Sequence, residues 1–146
     1  MKKIIFGLLV AFVALSFMGC PTVYADRDYD KLPVGDVVGD MNGDGIVLDE
    51  LAGVPGGYKT ASFTYSNSMN AWGGGSGVCN FKIRKVAGSW DGGDYGSTSV
   101  AGDKLPDGVT LGGDGNITLT GLVDGQTYHF ELVTIAPTIK ISLIED

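Results

Sequence analysis

The sequence predicts an all-β fold: an antiparallel β-sandwich of short strands behind an N-terminal secretory signal. Three observations predict it. Five segments alternate apolar and polar residues with a period of two. Glycine is abundant, 24 of 146 residues, and gathers with Asp and Asn between those segments. From Pro33 onward no stretch sustains a helical period. Short strands joined by glycine turns bury one face each, which is the pattern of two packed sheets.

A short strand over Asp36 to Gly39 opens the domain. In the next, Ala61, Phe63 and Tyr65 face inward between Thr60, Ser62 and Thr64. The clearest runs from Val78 to Arg84, with Cys79, Phe81 and Ile83 on one face and Asn80, Lys82 and Arg84 on the other. Ile117 and Leu119 follow the same rule, as do Tyr128, Phe130 and Leu132, and finally Ile139, Ile141 and Leu143. A further strand is expected near 97–101 or Thr110, and one helical turn at 48–51.

Lys2 and Lys3 precede an apolar run from Ile4 to Met18 that ends at Gly19-Cys20, the anatomy of a signal peptide over 1–19. The run is short of the roughly 20 apolar residues that cross a bilayer. Gly19-Cys20 resembles a bacterial lipobox, which would leave an acylated N-terminal Cys20 and hold the protein on a membrane. The competing cut follows Val23-Tyr24-Ala25 and would release the chain as a secreted or periplasmic protein. Under either cut Cys79 has no intramolecular partner. Residues 20–32 are polar and read as a tether, leaving 33–146 as the sandwich domain.

The formal charge is −7, and it grows more negative once Lys2 and Lys3 leave with the signal. Such a surface repels phosphates, so nucleic acid is excluded as a partner. Asp40-Met41-Asn42-Gly43-Asp44-Gly45 has the opening of a calcium loop, but Leu51 stands where the closing carboxylate belongs and Glu50 is one residue early. It reads as a turn, and no metal or cofactor is expected. Gly112 to Gly115 is a hairpin signal without a phosphate-cradling Lys or Ser. His129 sits on the outer face of a strand with no nucleophile motif, and the 17 acids show no distinctive pair. No catalytic residue is expected.

The aromatic residues carry more. Trp72 lies in a glycine-rich stretch and Trp90 follows Gly88-Ser89, with Tyr95 close behind. Between the indoles runs the strand whose outer face bears Asn80, Lys82 and Arg84. Flat apolar rings beside hydrogen-bond donors suit a sugar, whose C–H faces stack while its hydroxyls bond.

The order Val37-Val38-Gly39-Asp40-Met41-Asn42-Gly43, Trp72, Asn80 to Arg84, Gly88-Ser89-Trp90 and Tyr95-Gly96 resembles starch-binding carbohydrate-binding modules. The modules meant are the small immunoglobulin-like ones of outer-membrane starch-utilisation lipoproteins and of pullulanases. Gly113 to Leu119 and Gly125 to Phe130 resemble their last hairpin, so the likeness spans Val34 to Leu143. Asp44 replaces a Trp that many such modules carry. The resemblance implies an immunoglobulin-like sandwich that binds a neutral polysaccharide, an α-glucan such as starch or glycogen, without catalysis. It implies stacking on Trp72, Trp90 and Tyr95, hydrogen bonds from Lys82 and Arg84, and an outer-membrane location. The rival expectation is a structural or adhesin-type envelope lipoprotein that contacts a protein partner.

Overall fold

The computed structural model describes residues 30–146, so the expected signal, Cys20 and the cut after Ala25 lie outside the described residues. In chain order the strands are β1 (Asp36–Gly39), β2 (Asn42–Glu50), β3 (Gly57–Thr60), β4 (Phe63–Thr64), β5 (Val78–Val86) and β6 (Ser89–Tyr95). After a 3-10 turn at Ser97–Ser99 come β7 (Val100–Gly102), β8 (Thr110–Gly112), β9 (Ile117–Thr120), β10 (Thr127–Val133) and β11 (Ile139–Glu145). Hydrogen bonds run without a break along β7-β11-β10-β3-β2-β1-β5-β9-β8, with β6 added to β5 and β4 to β10.

The sandwich turns its corner in β2. The first part of that strand pairs with β1 (Asp36 opposite Val47), and its last residues pair with β3 (Leu48 opposite Thr60). One layer is therefore built around β5, the other around β10. The inward residues of both are those set by the alternation: Cys79, Phe81 and Ile83 on β5 are wholly buried, and so are Tyr128, Phe130 and Leu132 on β10. The layers meet where the Phe81 and Phe130 rings lie 4.9 Å apart, with Phe63 stacked 5.4 Å from Phe130. Such rings supply much of the apolar area that stabilises a domain with no disulfide. Both candidate strands of the 97–110 region form, as β7 and β8.

Four expectations need correction. β7 runs parallel to β11, with Val100 opposite Ile139, so the sandwich is not antiparallel throughout. Residues 48–50 continue β2 instead of turning into helix. Leu48 points inward there, and Asp49 lies opposite Lys59, so sheet pairing outweighs the local helical look of Leu-Asp-Glu-Leu. Ala61 is exposed because the chain breaks between β3 and β4. Thr60 takes the buried position, its hydroxyl accepting the Phe130 N–H at 3.0 Å. The tether ends sooner than expected: Leu32 N–H donates to Thr134 O at 2.8 Å, and Ala136 N–H to Asp30 O at 3.0 Å.

Cys79 is a buried free cysteine, and its thiol is pushed up to about 12 by burial first and by the charge of Asp40 second. The native protein should therefore resist thiol reagents at pH 8 and react fully in denaturant, as a colorimetric thiol titration would read. The sign of the linkage follows. A thiol raised in the folded state binds its proton longer than the unfolded one. Native stability should fall as pH climbs from 9.0 toward about 12, and Cys79→Ala should flatten that decline.

Candidate functional site

On the outer face of the β5 layer, β1 and β5 place Asp36 opposite Arg84 and Val38 opposite Lys82. Asp36 and Arg84 form a buried ion pair, 1% and 5% exposed, with Arg84 Nε donating to Asp36 Oδ1 at 2.7 Å and Nη2 to Oδ2. The guanidinium pKa is held above its ordinary value, chiefly by that hydrogen bond. A charge pair out of water persists only when its remaining donors and acceptors are met. Here β2 bulges over the face, and Asp44 O accepts Arg84 Nη2 at 2.8 Å, while Gly88 N–H donates to Asp36 Oδ2 at 2.8 Å. The bulge needs Gly45: its φ is +95°, and a Cβ there would sit 2.6 Å from both Asp36 Oδ2 and Arg84 Nη2.

Trp90, on β6, closes this arrangement from outside, with the Arg84 guanidinium 5.1 Å from its ring centroid. Trp72 stacks on Trp90, the centroids 5.9 Å apart and the planes 29° from parallel. Trp72 is half-buried and Trp90 is 48% exposed. The loop bearing Trp72 is fixed by Asp40, itself 8% exposed. One carboxylate oxygen accepts Trp72 N–H at 2.6 Å, and the other accepts Asn80 N–H at 2.7 Å. Asn80 Nδ2 in turn donates to Trp72 O at 3.1 Å, and Thr118 donates to Asn80 Oδ1 at 2.7 Å. Lys82 pairs with Asp94 at 2.9 Å, both side chains 28% exposed.

The structure thus brings Trp72, Trp90 and Lys82 to one face and removes two expected contributors. Arg84 shares that face but is only 5% exposed, with its Nε and Nη2 committed to Asp36 and to Asp44 O beside the Trp90 ring. Tyr95 is a core residue, 8% exposed, because its pairing with Ile83 turns it inward. Burial raises its phenol pKa. Sequence reasoning missed Asp36, Asp40 and Asp94, which position or partner the expected residues. The lone signal for Asp36 was an acid inside an apolar strand.

Elsewhere, Ser62 Oγ donates to Asp146 Oδ2 at 2.5 Å, and His129 Nδ1 lies 2.7 Å from Asp146 Oδ1. The hydrogen bond from Ser62, then that with His129, lowers the Asp146 pKa. The carboxylate stands between serine and imidazole, whereas a nucleophilic triad needs the imidazole in the middle. Among the described residues no three His, Cys, Asp or Glu side chains group to hold a metal ion. The Asp40 loop is a hairpin turn in which Asn42 Oδ1 accepts Asp44 N–H at 2.9 Å.

Replacing Asp36 by Ala would strand the guanidinium and should lower stability by about 3–5 kcal/mol in urea unfolding. Converting both partners, Asp36→Leu with Arg84→Met, should recover most of that loss, since it removes the buried charges together. Compared with family models, with curated proteins and with solved structures, the chain finds no match.

Proposed function

We propose that the protein is a non-catalytic carbohydrate-binding domain, lipid-anchored through Cys20 in the bacterial envelope. It would take a neutral polysaccharide, an α-glucan such as starch or glycogen, on the Trp72–Trp90 face. The observation that carries this reading is the stacked indole pair, part exposed beside the Lys82–Asp94 pair. An aromatic face for C–H stacking next to one donor and one acceptor is the chemistry a hexose needs. Asp91 and Asp94 beside the rings, and the net charge of −7, disfavour acidic glycans.

Because each ring covers part of the other, the pair presents the area of about one platform. That is worth roughly 2–3 kcal/mol gross at about 25 cal/mol per Å². A millimolar dissociation constant corresponds to about −4 kcal/mol, so a single domain should bind weakly and many copies on a membrane should bind usefully. The second reading, a structural or adhesin-type lipoprotein, draws on the placement of Trp90 over Arg84, which assigns the indoles to sealing the ion pair.

Affinity electrophoresis separates the two. Amylopectin or glycogen in the gel should retard the protein, Trp90→Ala should abolish the retardation, and Lys82→Ala should weaken it. Circular dichroism would report that both variants stay folded. Wild-type mobility that is unchanged across a panel of neutral glycans would remove the glycan reading and leave the structural one.

A further inference from the structure

Several turns of this protein carry acids, at Asp40, Asp103, Asp107, Asp114 and Asp124. The 65–77 loop holds none, and neither do two stretches that neighbour each other. Residues 51–57 (Leu-Ala-Gly-Val-Pro-Gly-Gly) and 133–139 (Val-Thr-Ile-Ala-Pro-Thr-Ile) hold no charged side chain. They are bound to each other, Thr134 donating to Gly56 O through its N–H at 2.8 Å and its hydroxyl at 3.1 Å. Asp30–Leu32 joins them through the Lys31–Ile135 bridge and the Ala136 N–H to Asp30 O bond. The three segments make one rim at the end of the sandwich.

The two loops of that rim are uncharged and open. Val54 is 38% exposed, and Ala52, Pro55, Ala136 and Pro137 are exposed. A depression of about 550 Å³ lies over residues 50–58, and a second of about 320 Å³ over Val133 to Lys140. Exposed Lys31 and Glu50 line the first depression and exposed Lys140 the second, with exposed Asp30 on the entering segment. Loops facing water are ordinarily polar, and a contiguous apolar surface marks contact with something else.

We propose that this rim rests on the lipid bilayer, as a second, non-covalent membrane contact of the anchored domain. The occupant follows from where the chain enters. Asp30 is part of the rim, and Cys20 lies only ten residues before it. Ten extended residues reach at most about 35 Å, so an acylated Cys20 holds this end of the sandwich within that distance of the membrane. Tethered at such short range, weak insertion of Val54, Pro55 and Ala136 is enough to fix the posture. Lys31 and Lys140 are placed to meet anionic headgroups. The inference rests on the lipid anchor and is independent of glycan binding.

The test uses the full lipidated chain in vesicles of phosphatidylethanolamine and phosphatidylglycerol. Val54→Cys and Ala136→Cys place an environment-sensitive fluorophore on the rim, and Val123→Cys places one at the opposite end of β10. Buried Cys79 does not compete for the label. Lipids spin-labelled in the acyl chain should quench both rim labels at least about three-fold more than the Val123 label. Equal quenching at all three sites overturns the proposal. So does shielding seen in cell envelopes but absent from pure lipid, which would assign the rim to a protein. The mass of the N-terminal peptide reads the anchor separately: a chain starting after Ala25 removes both.

Discussion

The ion pair between Asp36 and Arg84 is the constraint on which the candidate face depends. Two charges sit opposite one another on the outer side of a sheet, where water would normally solvate them, and they are buried almost completely. Burial of that kind is tolerated only with full hydrogen bonding and exclusion of solvent. The β2 bulge supplies a carbonyl and the β5–β6 turn an amide, while Trp90 supplies the cover. Val38, on the same face, is wholly buried as well, so this side of the sheet carries a small second core.

That origin shapes what the indoles can do. Trp90 is held by the Arg84 guanidinium and by the stacked ring of Trp72, and Trp72 is held through its backbone by Asp40 and Asn80. Rings fixed this way lose little freedom when a ligand arrives, which offsets part of the ordering loss that weakens small contacts. The same fixation limits them. Two stacked rings cannot spread to follow a chain of sugars, so in the proposed reading affinity would come from repetition across many copies.

Period-two alternation was enough to assign the inward faces of β5, β9, β10 and β11, because burial on one side writes itself directly into residue order. It failed where the decisive partner lies on another strand. Arg84 has the parity of an outer residue and does sit on the outer face, but its burial depends on an acid 48 positions earlier. No local pattern encodes that register. Tyr95 went astray for a related reason. Glycines 92, 93 and 96 make its segment look like a loop, whereas pairing with β5 makes it a strand with an inward ring. The part-exposed placement of Trp72, Trp90 and Lys82 was legible because large rings among glycines and a cation on a clean alternating strand need no register to stand out.

The direction of the strands ties the two surfaces together. The apolar rim lies at the ends of β10 and β2, across the strand direction, while the indole stack lies on a sheet face, parallel to it. A domain seated by its rim therefore stands with strands rising from the bilayer and the Trp72–Trp90 face turned sideways. Asp40, which holds the Trp72 loop, is at the far end of β1 from Gly35, about five residues or roughly 17 Å higher. An insoluble or very large polymer cannot enter a crevice against a membrane, but it can lie along an upright wall. In the proposed reading anchorage draws on uncharged loops where the chain enters and capture on a sheet face, and one small sandwich can supply both without a moving part.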